Sequence, residues 1–173
     1  MTPNDSHAWW SRLRHQGLLL SPVVMLERYP DAPVPAPFHV TNRLRDAAAR
    51  FTSAPDGTDA ERATLAWVDA LLENYLGHKD GRLARSNDIP ARLTTTVRIG
   101  SQTQTLRPHR VVFADAEGKT PALLVAVDPA DRVGRGRGRT AYARFLELLR
   151  GTGHRLVLLT NGRQLRLVYA GLD

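Results

Sequence analysis

The chain of 173 residues contains no cysteine. This absence excludes disulfide bonds, zinc sites built on thiolates and catalysis by a cysteine nucleophile. Long apolar runs are also missing, since no unbroken stretch approaches the ~20 residues that a helix needs to cross a bilayer. The first residues do not resemble a signal peptide, because Asn4, Asp5 and Ser6 precede a mixed aromatic and basic stretch. We therefore expect a soluble, cytoplasmic protein with no membrane partner.

Several motifs that would indicate catalysis are absent as well. No Gly-x-Ser-x-Gly occurs, so nothing supports an acyl-transfer hydrolase of that type. The sequence also lacks an Asn-Pro-Pro-Tyr motif and a glycine-rich cofactor loop, so we do not expect this chain to methylate DNA by itself. The six histidines show no pair at the i, i+4 spacing of a helical metal site. We expect no metal site and no cofactor.

Charge is unbalanced toward the positive sign. Lys and Arg number 24 against 17 Asp and Glu, which gives a net charge of +7. Only Lys79 and Lys119 are lysines, and the other basic residues are arginines. Arginine forks bind phosphates and guanine edges with two hydrogen bonds, so the bias favours a nucleic-acid partner. The codon bias of a GC-rich genome would produce the same excess of arginine, and this alternative stays open.

The first half of the chain is patterned for helices. Apolar periodicity and capping residues predict helices over 4–17, within 18–29 behind Ser21-Pro22, over 42–51 with Thr41 as N-cap, and over 58–76. The last of these is the clearest, because Thr58 and Glu61 have the spacing of a capping box and Gly77 follows.

The second half of the chain is patterned for strands. Period-2 alternation and turn residues predict five strands, over 92–100, 109–115, 121–127, 155–160 and 164–170, with a helix over 139–151. A strand–helix–strand crossover should make the third and fourth of these strands parallel. We expect an α+β fold in which a helical region, 1–77, packs on a mixed sheet within 78–173, as one compact domain.

The order of elements and the closing segment carry a resemblance. The closing string "LVLLTNGRQLRLVYAG" resembles the strand pair that ends the N-terminal nuclease-like domain of many restriction-modification proteins and related phage-defence adenine methyltransferases. The resemblance covers about 92–173. It implies the restriction-endonuclease-like fold of metal-dependent nucleases of the PD-(D/E)xK type. It also implies DNA and a methyltransferase or helicase subunit as partners.

Active members of that group hold a divalent metal through an Asp in the second core strand and a Glu-x-Lys in the third. Aligned by pattern, these three positions are occupied by His109, Ala126 and Asp128. All three depart from the pattern, and no lysine lies in 120–173. The resemblance therefore implies a degenerate nuclease that has lost its active site.

A nuclease with migrated ligands is the alternative. Glu73, Asp115 and Asp128 could converge on one Mg²⁺, because two of them follow neighbouring strands and the third lies on the preceding helix. Each also has an ordinary structural interpretation. Glu73 can be a solvated helix residue, Asp115 a turn residue, and Asp128 the end of a strand before Pro129.

The segment 131–140, "DRVGRGRGRT", is a glycine-spaced basic loop before a helix. Such a loop can clamp a phosphate, and the N-terminus of the helix adds its own preference for anions. The loop lacks the Gly-Lys-Ser/Thr of a Walker loop, and a disordered basic surface loop is the alternative. The residues that we predict to contact nucleic acid are Arg107, Arg110, Arg132, Arg135, Arg137 and Arg139.

Three functions remain open from the sequence. The first is a non-catalytic, nuclease-like module that binds DNA or serves as a scaffold in a restriction-modification or phage-defence system. The second is an active Mg²⁺-dependent DNA nuclease. The third is a protein-interaction domain with no role in nucleic-acid binding.

Overall fold

The computed structural model of the protein describes residues 21–28, 35–54, 58–79, 81–99, 101–128, 133 and 141–171. The chain divides into two compact units, Met1–Pro37 and Phe38–Asp173. The first unit contributes one described helix, α1 (Pro22–Arg28), which begins at the proline expected to open it. The helix predicted over 4–17 lies outside the described residues.

The described residues of the second unit form three α-helices, α2 (Phe38–Thr52), α3 (Thr58–Ala70) and α4 (Ala141–Thr152), and two short 3-10 helices, Ser86–Asp88 and Ala91–Leu93. Helix α2 starts directly after Pro37, so Thr41 lies inside the helix and is not its N-cap. A proline suits this position because the first N–H groups of a helix have no partner within it. Among the described residues, no helix combines the length and the hydropathy that a membrane span requires.

Helix α3 continues into a single π-helical turn, Leu71–Tyr75. The N–H of Leu76 donates to the carbonyl of Leu71 at 3.0 Å, five residues back. The chain then leaves the helix at Gly77, whose φ of 73° suits a residue without a side chain. The helical end predicted at Gly77 is confirmed, whereas the π turn has no signal in the sequence.

The described part of the second unit contains seven strands. They are β1 (Leu83–Arg85), β2 (Thr95–Ile99), β3 (Gln102–Leu106), β4 (Arg110–Phe113), β5 (Pro121–Val127), β6 (Leu156–Thr160) and β7 (Leu165–Tyr169). Five of them form one sheet in the order β1-β4-β5-β6-β7. Strands β5 and β6 are parallel and joined through α4, and the other neighbouring pairs are antiparallel. The predicted α+β class with a five-stranded mixed sheet is confirmed.

One predicted strand belongs elsewhere. The segment 92–100 was expected in the five-stranded sheet, but β2 pairs only with β3, in a separate two-stranded sheet. The first place in the main sheet is taken by β1, in a stretch where the sequence analysis predicts no strand. Strand β1 has three residues and is too short to show alternation. Strand β3, "QTQTL", is too polar to stand out as a strand.

Helices cover both faces of the central strands. On one face, Val68 of α3 and Leu72 of the π turn pack against Val112 and Val125. On the other face, the buried side of α4 packs against residues one position away in the same strands, such as Val111 and Leu124. Successive side chains of a strand point to opposite faces, so β4 and β5 are buried on both.

The loop between β6 and β7 is fixed by the helices. It has four residues, because Thr160 pairs with Leu165, and the carboxamide oxygen of Asn161 accepts the N–H groups of Arg163 and Gln164. Trp67 of α3 donates its indole N–H to the carbonyl of Gly162 at 3.0 Å. The ring of Phe51 from α2 occupies the space that a side chain at Gly162 would need.

We predict that Gly162→Ala destabilises the protein more than Gly153→Ala. Both glycines have positive φ, at 83° and 70°, so both substitutions cost about 1–2 kcal/mol of backbone strain. An added Cβ at Gly162 would lie 2.5 Å from the ring of Phe51, whereas Gly153 has nothing within 4 Å. Overpacking should therefore add about 1–3 kcal/mol at Gly162 only. Urea unfolding measures the difference, and equal losses would contradict the packing.

Candidate functional site at the carboxyl end of β5

The three positions that the resemblance assigns to metal ligands, His109, Ala126 and Asp128, lie at one end of the sheet. Strand β4 pairs with β5 through Arg110 and Val125, and the N–H of His109 donates to the carbonyl of Val125 at 2.8 Å. Continuing this antiparallel register by one residue places His109 beside Ala126. Asp128 follows at the end of β5, where it is 4% exposed and its N–H donates to Thr160 at 2.7 Å.

Ala126 is fully buried in the core between the sheet and α4. Its methyl group cannot bind a cation, and the surrounding core leaves it no contact with solvent. The position to which the resemblance assigns a metal-binding Glu is therefore part of the hydrophobic packing in this chain.

His109 is built into the backbone of β5. Its Nδ1 accepts the N–H of Val127 at 3.0 Å, which leaves Nε2 to carry the proton of the neutral ring. Nε2 lies 3.7 Å from the Glu61 carboxylate, and the ring is 6.3 Å from that of Phe145. Burial lowers the pKa of His109, against the opposing effect of Glu61. A neutral ring that accepts a backbone hydrogen bond therefore occupies the position to which the resemblance assigns an Asp.

A buried charge network lies beside His109. The Arg110 side chain is 8% exposed, and its Nε and Nη2 donate to the two oxygens of Asp69 at 2.6 and 2.9 Å. Nη1 donates to the carbonyl of His109 at 2.7 Å. Arg85 of β1 contacts Asp69 at 3.5 Å and is also bonded to Glu73 in the π turn. Two arginines of the sheet, Arg85 and Arg110, thus form ion pairs with Asp69 of α3 and Glu73 of the π turn.

This network corrects the sequence-based assignment of Arg110. It was expected on a basic rim facing nucleic acid, but it is buried and its charge is paired with Asp69. Arg107 is exposed, and its guanidinium donates to the carbonyls of Ser86 and Ile89. It therefore holds the turn after β1, where Ser86 has a φ of 34°.

The alternative nuclease ligands do not come together. Asp115 caps the turn between β4 and β5 by accepting the N–H groups of Lys119 and Thr120, and the Lys119 bond contributes most to lowering its pKa to about 2. Asp128 lies at the other end of the seven-residue β5, about 20 Å away. Glu73 is bonded to Arg85. The described part of the chain contains no group of three His, Asp or Glu residues placed to hold a metal.

The basic loop leaves the sheet beside Asp128. Its only described residue, Val133, is buried, and its N–H donates to the carboxamide of Gln164 at 3.1 Å. The loop returns to the described structure at Ala141, the first residue of α4. The four arginines predicted to contact phosphate lie outside the described residues. They are Arg132, Arg135, Arg137 and Arg139.

A second basic surface, which sequence reasoning missed, lies between α2 and α3. It is an open groove of about 620 Å³, with Ala and Trp67 side chains along its wall. Its charged lining residues are Arg43, Asp46, Arg50, Asp59 and Arg62. The acids offset part of the positive charge, so the groove is a weaker candidate for an anion than the loop. The signal in the sequence was the spacing of Arg43 and Arg50, two helical turns apart on one face.

Asp69 and Glu61 were also missed as site residues. Asp69 adjoins Val68 on the apolar side of α3, and an acid in that position is a sign of a buried partner.

Comparisons of the chain with protein-family models, with curated proteins and with solved structures find no match. A functional proposal for this chain therefore depends on its own topology and on the residues of this site.

We predict that Asp69→Ala destabilises the protein by about 3 kcal/mol, because it leaves the guanidinium of Arg110 buried without its partner. The matched control is Asp59→Ala on the same helix, whose 3.4 Å ion pair with Arg62 is exposed. That loss should stay below about 1 kcal/mol. The double variant Asp69→Leu/Arg110→Met should recover most of the stability in urea unfolding. Equal small losses for Asp69→Ala and Asp59→Ala would contradict the buried pair.

We predict that acid weakens the fold partly through His109. Because burial lowers the pKa of His109 in the folded protein, the unfolded chain binds the proton more readily. This contribution to stability is complete above the unfolded-state pKa of about 6.5 and is lost as the pH falls below it. His154 acts in the same direction, since burial and then Arg92 lower its pKa.

The variant to measure is His109→Asn, whose side-chain oxygen can still accept the N–H of Val127. Its free energy of unfolding should fall less than that of the unmodified chain between about pH 7 and pH 5. The control is His39→Asn on the exposed surface of α2, which should leave the pH dependence as it was. The same pH dependence in all three proteins would refute the role of His109.

Proposed function

We propose that this chain is a non-catalytic, nuclease-like module that binds the DNA backbone in a restriction-modification or phage-defence system. The observation that carries the proposal is the strand order β1-β4-β5-β6-β7, together with His109, Ala126 and Asp128 at the positions that the resemblance assigns to metal ligands. The nuclease-like identity and the DNA partner rest on the resemblance of the sequence, and the geometry supports both.

The topology supports the nuclease-like part. Along the chain, α3 precedes the antiparallel strands β1, β4 and β5, and α4 then crosses to β6, which lies parallel to β5. The hairpin of β2 and β3 is an insertion between β1 and β4 that does not alter this order. This order, with the two helices on opposite faces of the sheet, supports the fold that the resemblance implies.

The chemistry of the site supports the non-catalytic part. A nuclease of this type needs carboxylates that reach a hydrated metal at the end of the two strands. In this chain the end of the strands is closed by packing, because Ala126 is fully buried and His109 is bonded to the backbone of β5. The Asp69 carboxylate close by is engaged by Arg110.

The position of the basic loop supports contact with DNA. The loop begins where the parallel strands β5 and β6 end, and it leads into the N-terminus of α4. The carboxyl ends of strands and the N-termini of helices are common binding places for phosphates. The net charge of +7 adds a long-range attraction for a polyanion. A methyltransferase or helicase subunit is the partner that such a module would bring to DNA.

We predict salt-dependent binding of duplex DNA through this loop. The affinity should fall as the salt concentration rises. In a plot of the logarithm of the association constant against the logarithm of the salt concentration, each phosphate contacted should contribute about −0.9 to the slope. The double variant Arg135→Ala/Arg137→Ala should weaken binding and reduce that slope by about 1–2. Fluorescence anisotropy over a salt series, with and without Mg²⁺, measures both quantities.

The matched control is the double variant Arg150→Ala/Arg155→Ala. It removes the same charge from two exposed positions, Arg150 in the last turn of α4 and Arg155 just before β6, at the far end of the sheet, and should change binding less. No binding at low salt would favour the protein-interaction domain. Equal losses in the two double variants would contradict the role of the loop. Mg²⁺-dependent cleavage that is lost in Asp128→Ala would contradict the non-catalytic assignment.

A further inference from the structure

Strand β7 forms an open edge of the five-stranded sheet. It pairs with β6 on one side, and no strand within the described ranges pairs with its other side. An open edge presents unpaired backbone N–H and C=O groups to which another strand can be added. The opposite edge strand, β1, has only three residues and ends in Arg85, which is bonded to Glu73. Strand β7 is thus the edge better suited to accept a partner strand.

The register with β6 shows which backbone groups of β7 face outward. The N–H of Ala170 donates to the carbonyl of Arg155 at 2.9 Å, just beyond the last pair of the two strands. In an antiparallel pair, residues bonded to the partner strand alternate with residues that are not. Ala170 is bonded to the neighbouring strand, so the residues two and four positions before it, Val168 and Arg166, also direct their backbone groups to β6. The backbone groups that point out of the sheet belong to Leu165, Leu167 and Tyr169.

The same three residues expose their side chains. Leu165 is 55% exposed, Leu167 38% and Tyr169 45%, whereas Val168 between them is buried. Alternate residues of a strand share one face, so the three form an apolar row along the edge. Exposed apolar side chains on a strand with free backbone groups are the features of a pairing surface.

We propose that β7 pairs antiparallel with β7 of a second copy of this chain, about a two-fold axis at Leu167. In this register Leu167 lies opposite its own counterpart, and Leu165 lies opposite Tyr169 of the partner subunit. All three pairs are of the hydrogen-bonded kind, which gives about six backbone hydrogen bonds. The two apolar rows join into one continuous row across the interface.

Self-pairing is favoured because the strand is complementary to itself. A two-fold interface requires the same patch on both copies, and β7 supplies both an outward ladder and a matching apolar row. With the axis at Leu167, each Arg166 faces a valine, Val168 of the partner subunit. An axis at Arg166 would place two guanidinium groups opposite each other, which is unfavourable.

The charge of the chain gives this dimer a characteristic salt dependence. Two copies that each carry +7 repel each other, and salt screens this repulsion. Dimerisation should therefore strengthen as salt rises, which is opposite to the expected behaviour of DNA binding. The opposite trends keep a direct dimer distinct from two copies bridged by residual nucleic acid.

The first test is sedimentation equilibrium of the full chain freed of nucleic acid. We expect a reversible dimer whose fraction rises with protein concentration and with salt. Leu167→Lys should abolish it by placing like charges on the axis, and Leu167→Pro should abolish it by removing an outward N–H that β6 does not use. The control is Leu76→Lys, the same change at a residue that is 49% exposed outside the sheet, and it should leave the dimer intact.

The second test fixes the register, because the chain has no cysteine of its own. Leu167→Cys should form a disulfide-linked dimer on mild oxidation, since facing Cα atoms lie about 5.5 Å apart, within the range of a disulfide. Leu165→Cys should not, because its counterpart would lie about 13 Å away along the strand. A chain that stays monomeric at all concentrations overturns the proposal. So does a dimer that survives Leu167→Lys, or equal cross-linking of the two cysteine variants.

Discussion

The contact between Arg110 and Asp69 is the interaction on which the described structure most depends. A guanidinium that is 8% exposed must have its charge matched, and Asp69 does so with two hydrogen bonds. The contact joins α3 to the first residue of β4, across 41 positions of sequence. Since Arg110 also holds the carbonyl of His109, the same contact fixes the end of the strand where the candidate site lies.

This arrangement explains how the end of the sheet where β5 stops is stabilised. A metal-binding site keeps charged groups close together and open to water, which works against packing. In this chain the corresponding positions contribute to the fold, because Ala126 fills the core and His109 is bonded to Val127. The polar groups that remain nearby are paired among themselves.

The sequence predicts the parts of the fold that have long and regular patterns. The helix that begins at Thr58, the buried strand β5 and the hairpin of β6 and β7 all follow from periodicity and turn residues. Strand β1 could not be predicted, because three residues are too few to show alternation of apolar and polar side chains. Strand β3 could not be predicted either, because its glutamines and threonines leave it without an apolar pattern. The assignment of 92–100 to the main sheet failed for the same reason, since its partner strand was not visible.

The candidate site could be predicted from the sequence only in part. The positions of His109, Ala126 and Asp128 follow from the strand pattern, since hydrophobic alternation sets the register of β4 and β5. The burial of Arg110 does not follow from it, because an arginine at the start of a strand looks the same whether it faces solvent or Asp69. The acid on the apolar side of α3 was the available signal. Only the tertiary structure shows that Arg110 is the arginine that binds Asp69.

The π turn between α3 and Gly77 has a consequence for how this protein can tolerate changes in length. A π turn holds one residue more than the regular α-helix into which it is inserted. Loss of a single residue within Leu71–Tyr75 would convert the turn to regular helix and leave the helix that precedes it unchanged. The residues after the turn would also keep their places, because the regular helix then completes nearly the same rotation with one residue fewer. The turn is therefore a place where the chain can lose one residue without displacing Gly77 or the strand that follows.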